Sequence, residues 1–243
     1  MIPVSIKRDK WTQYRILHAS STLASQLPET RLLNSNALQK LLIKYQGVVL
    51  KPRRGSFGRN ILFVNRNKAN AYRIHYEKKL STIKGTRRLY KWINGKTRSR
   101  GYVVQRRLQL AQIKGRPFDI RIMVQRRKGA SSPWKVTGSY AKVASQGYLI
   151  TSVPSRIIPV SEALKQVGIG NRSMLVKANR TALLAAKRLG ERFPKLRQVG
   201  FDIGIDGKRR VWIIEGNYNP SLVPFLLLKD SSIYRRIRGY QKH

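Results

Sequence analysis

The sequence predicts an α+β fold built on antiparallel sheets. Apolar side chains recur at intervals of three and four residues over 36–46 and over 175–190, which is typical of amphipathic helices. Short apolar runs of strand length lie before, between and after these two segments. They do not alternate regularly with helices, as the strands of parallel βαβ units do, so we expect antiparallel pairing.

The first helix has one apolar face, made of four residues: Leu38, Leu41, Leu42 and Tyr45. Asn34 or Ser35 is expected to cap its start, and Gly47 its end. Residues 70–100 are expected to form a helix followed by a basic loop. The predicted strands cover residues 48–50, 61–64, 102–105, 120–124, 134–143, 200–205 and 210–215.

Composition limits the partners and the chemistry. The chain has 51 Lys and Arg against 10 Asp and Glu, a net charge of +41, which predicts a polyanionic partner such as a nucleic acid, an acidic polymer or an acidic peptide. With no Cys and three His, disulfides, thiolate metal sites and a Ser-His-Asp triad have little material. The longest apolar run, 222–228, is too short to span a bilayer, and no signal peptide is seen, so we expect a cytoplasmic protein without a membrane span.

Two of the ten acids lie at the ends of strand-like runs joined by an Asp-Gly turn. Carboxylate and amide oxygens of Asp202, Glu215 and Asn217 are the ligands that Mg²⁺ prefers. With residues 206–209 as a four-residue loop, Asp202 would face Ile213 and lie diagonal to Glu215, about 7–8 Å away. Ile and Trp flank these acids rather than bases, which favours a metal site over a surface hairpin with stray acids.

Two other segments have features of phosphate binding. Loop 51–59 contains Gly55 and Gly58 among bases, so its N–H groups can turn toward an anion, although an exposed β-turn explains the pattern equally well. The loop lacks the Gly-Lys-Ser/Thr of a Walker A motif. Asp119 and Arg121 alternate along one strand, which suits either an oriented guanidinium or a structural Asp–Arg pair.

A basic run occupies residues 84–100. No acid occurs between Glu77 and Asp119, and Tyr90 and Trp92 lie among the cations. Bases interleaved with aromatic side chains suit a single-stranded nucleic acid or an acidic polymer. A solvated basic loop is the alternative for this segment.

The order of these motifs resembles the ATP-grasp superfamily, and most closely the YheC/YheD group of endospore coat-associated proteins. The resemblance extends from about Asp9 to Pro220. The segments that carry it are Leu27-Pro28-Glu29-Thr30, Val49-Leu50-Lys51-Pro52, Gly55-Ser56-Phe57-Gly58, Tyr102-Val103-Val104-Gln105-Arg106-Arg107-Leu108, Phe118-Asp119-Ile120-Arg121, Thr137-Gly138-Ser139-Tyr140-Ala141-Lys142 and Asp202 with Glu215-Gly216-Asn217.

The resemblance implies a single ATP-grasp domain of two α+β lobes that grip ATP, over about 1–100, with the glycine flap, and about 101–243, with the hinge strand and the metal hairpin. It implies that Mg²⁺ is held by Asp202, Glu215 and Asn217. It also implies catalytic roles for Arg121 and Lys142, which would stabilise charge on the phosphoryl group or acyl phosphate. The residues implied in binding ATP are Lys10, Lys51, Ser56, Phe57, Gly58, Gln105, Arg106, Arg107, Leu108 and Asp119.

Three functions remain open at this stage. The family chemistry implies an ATP- and Mg²⁺-dependent carboxylate–amine ligase acting on an anionic substrate. The extreme charge, together with Thr151–Ile157 where relatives often carry Asn and a Gly-rich run, favours a non-catalytic, spore-associated binder of polyanions. A kinase acting on a small alcohol would use the same phosphoryl-transfer residues.

Overall fold

The structure is a computed structural model that describes residues 9–55, 58–67, 70–97, 101–129, 132–169 and 172–242. Its helices are α1 Lys10–His18, α2 Ser21–Ala24, α3 Ser35–Tyr45, α4 Thr86–Thr97, α5 Val160–Gln166, α6 Arg172–Arg192, α7 Val223–Leu226 and α8 Ser231–Lys242. Its strands are β1 Thr30–Leu32, β2 Gly47–Pro52, β3 Leu62–Arg66, β4 Ala71–Tyr76, β5 Lys79–Lys84, β6 Tyr102–Arg106, β7 Gln112–Ile113, β8 Arg116–Gln125, β9 Lys135–Ala144, β10 Pro154–Ile158, β11 Gln198–Ile205 and β12 Val211–Asn217.

The chain forms two compact units. Unit 1 comprises the described part of Met1–Tyr14 with Pro28–Leu108, and unit 2 comprises Arg15–Leu27 with Gln109–His243, as far as it is described. The sequence placed the hinge strand in the second lobe, from about residue 101. In the structure this strand, β6, is hydrogen-bonded to β1 and β2 and lies in unit 1.

Unit 1 is a six-stranded antiparallel sheet in the order β1-β6-β2-β3-β4-β5. Its core contains apolar side chains of the sheet together with those of α3 and α4. The Asn34 side chain, one of the two caps that the sequence allowed, caps α3 by accepting a hydrogen bond from the Ala37 N–H (2.8 Å). The helix ends at Tyr45 and its C-cap is Gln46, which adopts a left-handed conformation (φ 59°), whereas the sequence predicted a cap at Gly47.

The prediction of a helix followed by a loop over 70–100 was wrong. A hairpin of β4 and β5 precedes α4, so the first half of the segment is sheet. Tyr72 and Ile74 are buried at alternate positions of β4, which is the period of a strand. The turn was hard to recognise because Glu77, rather than Gly or Asn, takes the left-handed conformation (φ 54°).

Unit 2 is built on a second antiparallel sheet, in the order β10-β9-β8-β11-β12, with β7 pairing to β8. Helix α6 contacts β8, β9, β11 and β12 through a face rich in alanine. Helices α7 and α8 pack on β8 and β9 around one buried cluster. The members of this cluster are Met123, Tyr140, Phe225, Leu228 and Ile237. No helix in the described ranges has both the length and the apolar composition needed to cross a bilayer.

The hairpin of β11 and β12 differs in register from the prediction. Ile205 pairs with Val211, so the loop has five residues (206–210), and an irregularity next to Asp202 brings it directly opposite Glu215 rather than Ile213. The Asp206 carboxylate fixes this loop. It accepts hydrogen bonds from the N–H groups of residues 208 and 210 and from the side chains of residues 210 and 212, all at 2.8–2.9 Å.

Candidate functional site

A row of charged residues crosses four adjacent strands of unit 2. Lys142 on β9 pairs in register with Asp119 on β8. Two residues along β8, Arg121 pairs with Asp202 on β11, and Asp202 in turn pairs with Glu215 on β12. Residues directly opposite each other in an antiparallel sheet, and residues two apart in one strand, project from the same face. The sheet therefore collects these five side chains, which the sequence predicted for the site, on one face.

Ion pairs connect four of these side chains into a buried network. The Arg121 guanidinium donates from Nε to Asp202 Oδ1 (2.6 Å) and from Nη2 to Oδ2 (3.2 Å). The Lys142 ammonium lies 2.9 Å from Asp202 Oδ1 and 3.1 Å from Asp119 Oδ1. Asp119 also accepts a hydrogen bond from the Thr151 hydroxyl. The sequence neighbours of Asp202 are apolar, and its cationic partners come from other strands.

The pKa values of the two buried aspartates are shifted in opposite directions. Burial raises the pKa of Asp119 to about 6, although Lys142 acts in the opposite direction. Burial would also raise the pKa of Asp202, but Arg121 and Lys142 together hold it at about 2. Burial lowers the pKa of Lys142 as well, and the two aspartates more than compensate, so that the pKa is raised. Asp202 is thus a fixed negative charge with two cations beside it.

The residues predicted to hold a metal fit a magnesium ion that has few protein ligands. Asp202 and Glu215 face each other across β11 and β12, and the Asn217 amide nitrogen donates to Asp202 Oδ2 (3.5 Å). Within the described residues no group of three or more His, Cys, Asp or Glu side chains could hold a metal ion. Mg²⁺ commonly takes one or two carboxylates and completes its octahedron with water and phosphate oxygens, so two carboxylates and an amide suffice.

In unit 1 a chain of hydrogen bonds orients Lys51. The buried Lys51 ammonium donates to Gln105 Oε1 (2.7 Å), and Gln105 Nε2 donates to the Thr30 hydroxyl (2.8 Å), which donates to the Pro28 carbonyl (2.8 Å). An ammonium only donates, so the Gln105 amide must present its oxygen to Lys51. The resemblance implied that Gln105 binds ATP, and its contact with Lys51 was missed because β1, β2 and β6 are distant in the chain.

The three residues that follow Gln105 differ in what their groups contact. The Arg106 guanidinium lies over the Tyr45 ring (4.9 Å), and the Arg107 guanidinium donates to Asn65 Oδ1 (2.8 Å). Among the described residues, the Leu108 N–H finds no acceptor. The predicted contacts of these residues with ATP stay predictions.

The glycine loop is described in part. The Lys10 ammonium donates to the Gly55 carbonyl (3.0 Å), which joins two of the predicted phosphate-binding segments. Gly58 has φ 66°, a left-handed conformation that favours glycine. Ser56 and Phe57 lie outside the described residues, so their predicted contacts with ATP stay predictions.

The basic run contains the exposed face of α4. Tyr90 and Trp92 are partly buried against the core of unit 1, and the Lys96 ammonium lies 5.6 Å from the centre of the Trp92 ring. Residues 98–100 lie outside the described ranges. The two aromatic side chains thus have a structural role beside the stacking role proposed from the sequence.

Glu29, in the Pro-Glu-Thr segment, is expected to make the stability of the protein depend on pH. Hydrogen bonds from Lys44 (2.8 Å), then Tyr45 (2.7 Å) and Arg31 (2.7 Å), lower the pKa of Glu29 from 4.5 to about 2. A lowered folded-state pKa stabilises the protein above the ordinary pKa, and this contribution is lost as pH falls through 2. We expect Glu29→Gln to lower the free energy of unfolding by about 1–2 kcal/mol at pH 7.

The difference between wild type and Glu29→Gln should shrink below pH 4.5 and disappear toward pH 2, measured by urea denaturation at each pH. Glu162→Gln is the control, since its pair with Arg156 is largely exposed, and it should change stability by less than about 0.5 kcal/mol. A deficit in Glu29→Gln that persists unchanged at pH 2.5 would contradict the assignment.

Solved structures with low sequence identity share this fold. A biotin carboxylase–beta-gamma-ATP complex from Campylobacter jejuni is 14% identical, with a TM-score of 0.57 over 97% of this chain and 46% of that chain. The ADP complex of purK, an N5-carboxyaminoimidazole ribonucleotide synthetase, is 13% identical, with a TM-score of 0.56 over 95% of this chain and 50% of that chain. The C-terminal domain of K. lactis Pby1, an ATP-grasp enzyme, is 16% identical, with a TM-score of 0.55 over 94% of this chain and 69% of that chain. These likenesses define an ATP-grasp fold, which confirms the predicted fold class.

Within that superfamily the chain belongs to the YheC/D-like ATP-grasp family, whose model matches residues 5–241. It is 23% identical over 219 residues to the endospore coat-associated protein YheC of Bacillus subtilis, covering 87% of this chain and 60% of that protein. It is 24% identical over 226 residues to the endospore coat-associated protein YheD of the same organism, covering 87% of this chain and 48% of that protein. The chain thus spans about half to three-fifths of the length of these curated relatives. The family predicted from the sequence is confirmed.

Proposed function

We propose that this protein is an ATP- and Mg²⁺-dependent ligase that joins a carboxylate to an amine through an acyl phosphate. The observation that carries the proposal is the row of charges in unit 2, where Lys142, Asp119, Arg121, Asp202 and Glu215 share one face in strand register. Anionic substrates are favoured because the chain carries a net charge of +41.

The proposed reaction needs no nucleophile from the protein. An oxygen of the substrate carboxylate attacks the γ-phosphorus of ATP, the bond to the bridging oxygen breaks, and ADP leaves. The amine nitrogen then attacks the acyl carbon, the bond from carbon to the phosphate oxygen breaks, and inorganic phosphate leaves while the amine loses one proton. Catalysis of this kind depends on positioning and on electrostatic stabilisation of the phosphoryl group.

Each residue has a role that its contacts support. In unit 1, Lys10 and Lys51 would neutralise ATP phosphates, and the Leu108 N–H would meet adenine. In unit 2, Lys142 and Arg121 would stabilise charge on the phosphoryl group. Arg121 uses Nε and Nη2 on Asp202, whereas Nη1 donates no hydrogen bond to the described residues.

Magnesium would be held by Asp202, Glu215 and Asn217, and when bound it would neutralise phosphate oxygens. Oxygen ligands of this kind match a hard divalent cation. The two cations beside Asp202 offset its charge, so we propose that the site depends on Glu215 as its second carboxylate ligand.

The first test compares wild type with Glu215→Gln. We expect wild type to release ADP when it is incubated with Mg-ATP and the right member of a panel of acidic amino acids and peptides. Glu215→Gln should turn over about a hundredfold more slowly or worse, since it keeps the side-chain shape and loses a charged metal ligand. Calorimetry with Mg-ADP should show the same loss in the dependence of affinity on magnesium.

Glu191→Gln is the matched control, because Glu191 is an exposed residue of unit 2 that pairs with Arg188 (2.9 Å). It should behave as wild type. Normal turnover in Glu215→Gln would rule out the metal assignment, and a wild type that binds neither ATP nor ADP would rule out the ligase. Release of inorganic phosphate separates a ligase from a kinase, which would retain the phosphoryl group on its product.

A second candidate function rests on charge alone. Even if each of the 10 acids neutralised a different base, 51 − 10 = 41 positive charges would remain without a carboxylate partner in the chain. A non-catalytic protein that docks on acidic polymers, nucleic acid or spore layers would use this charge. It predicts affinity for unrelated polyanions that falls steeply with salt and does not depend on Mg-ATP. Spore association, which the names of the two Bacillus relatives suggest, belongs to the same proposal.

A further inference from the structure

We propose that unit 2 carries a docking surface for anionic lipid bilayers, formed by an apolar ridge on α7 and the cations of α8. The α7 ridge consists of Val223, Leu226 and Leu227. This inference is independent of the proposed ligase activity, since none of the ridge residues is assigned to nucleotide or metal.

The α7 ridge is a concentration of exposed aliphatic surface. The exposed fractions are 63% for Val223, 57% for Leu226 and 65% for Leu227. Elsewhere in the described residues, large apolar side chains with exposure above one half occur singly, at Ile43 and Val176 and at Leu80. Three such side chains within five residues form a patch, and contiguous apolar patches mark interaction sites more often than scattered residues do.

The ridge is held outward by the side chains between its members. Phe225 is fully buried and meets the Tyr140 ring edge to face at 4.7 Å, and Leu228 is 8% exposed. Both belong to the cluster that packs α7 and α8 onto the sheet. Because the inward positions are filled, the ridge side chains cannot turn into the core without displacing Phe225 or Leu228.

Cations dominate the chain immediately after the ridge. Between residues 228 and 242 there is one acid, Asp230, whose carboxylate accepts a hydrogen bond from the Ser232 N–H (2.9 Å). The exposed cations of the same segment are Lys229, Arg235, Arg236, Arg238 and Lys242. Aliphatic side chains that enter the acyl region, with Lys and Arg at headgroup level, are the pattern of proteins that lie on anionic membranes.

The aliphatic character of the ridge selects a bilayer over the other polyanions. Single-stranded nucleic acids are bound by aromatic side chains on which bases stack, and Val223, Leu226 and Leu227 offer no ring. A second copy of this chain would bring a surface of the same charge, which opposes association. A bilayer that contains anionic lipid satisfies both the charge and the aliphatic surface.

The experiment measures binding of the full chain to vesicles by co-sedimentation. We expect binding to vesicles of phosphatidylcholine with phosphatidylglycerol, and none to phosphatidylcholine alone. The triple variant Val223→Ser/Leu226→Ser/Leu227→Ser should bind the mixed vesicles about tenfold more weakly or worse, because the apolar contribution is lost. The control variant Ile43→Ser/Leu80→Ser/Val176→Ser removes the same kind of exposed side chain elsewhere and should bind as wild type.

A second set of variants tests the contribution of the cations. Lys229→Gln/Arg235→Gln/Arg238→Gln should weaken vesicle binding about tenfold or more, whereas Arg87→Gln/Arg88→Gln/Lys91→Gln on α4 should not. The ridge variant should keep its affinity for a single-stranded oligonucleotide and its wild-type melting temperature. The proposal is overturned if the ridge variant binds mixed vesicles as wild type does, or loses vesicle and oligonucleotide binding together. It is also overturned if light scattering shows that wild type is a dimer and the ridge variant a monomer, since the ridge would then be an interface between copies.

Discussion

Replacing Asp202 by Asn is expected to lower the free energy of unfolding by about 3–5 kcal/mol, because it leaves the buried Arg121 without its carboxylate and leaves Lys142 with Asp119 alone. The Arg121 and Asp202 side chains are each 12% exposed, and that of Lys142 is 7% exposed. Asn keeps the shape of the side chain and loses the charge. Urea denaturation of wild type and variant, followed by circular dichroism, gives the difference.

A second substitution makes the test specific. In Asp202→Asn/Lys142→Met one of the two cations that lose Asp202 is gone, so part of the lost stability should return, and the coupling between the two positions should reach about 0.5–3 kcal/mol. Glu191→Gln, which breaks an exposed pair in the same unit, should cost less than about 1 kcal/mol. If Asp202→Asn stays within 1 kcal/mol of wild type, the ion pairs of the network do not stabilise unit 2 as argued.

The five charged residues that lie in register in unit 2 were all named from the sequence, whereas their pairing was not. Alternation along β8 correctly placed Asp119 and Arg121 on one face, because a strand has a period of two. The pairing of Arg121 with Asp202 depends on which strand lies beside β8, and 81 residues separate the two partners. Thr151, whose hydroxyl holds Asp119, was noticed only as a departure from the family pattern, and its spacing from Asp119 carries no periodic signal.

The register of the β11–β12 hairpin was predicted wrongly because of its loop. The prediction assumed a four-residue loop over 206–209, but Asp206 uses both carboxylate oxygens to hold a five-residue loop, and Arg209 adopts a left-handed conformation (φ 59°). A second irregularity, beside Asp202, shifts the pairing once more. The same-face placement of Asp202 and Glu215 was nevertheless correct, while Asp202 faces Glu215 instead of Ile213.

The ion-pair network has a consequence for the proposed metal. A magnesium ion that approaches Asp202 meets the positive charges of Arg121 and Lys142, which oppose it, so the two carboxylates alone would bind a free ion weakly. Triphosphate oxygens add negative charge and ligands. We therefore expect the metal to bind with the nucleotide rather than before it, which calorimetry with magnesium alone and with Mg-ADP would separate.

Replacing Lys51 by Met is expected to weaken ATP binding about 10- to 100-fold while leaving the stability of the protein unchanged or slightly raised. A hydrogen bond to a charged phosphate contributes about 1.5–3 kcal/mol. Lys51 is the residue that the hydrogen bonds of Gln105 and Thr30 orient. Burying an ammonium is costly, so a methionine of similar length loses little in the absence of ATP. Affinity for ATP is measured by calorimetry at fixed magnesium, and stability by urea denaturation.

Two further variants decide what the loss means. Lys40→Met removes an exposed lysine of α3 and should keep the affinity of wild type, so a loss shared by both would report only the change in net charge. Gln105→Glu keeps an acceptor beside Lys51 and adds a charge that pairs with the ammonium. It should therefore hold Lys51 in place but weaken its attraction for phosphate. If Lys51→Met binds ATP as tightly as wild type, Lys51 does not contribute to phosphate binding. The hydrogen bonds from Thr30 through Gln105 would then position a lysine with a structural role only.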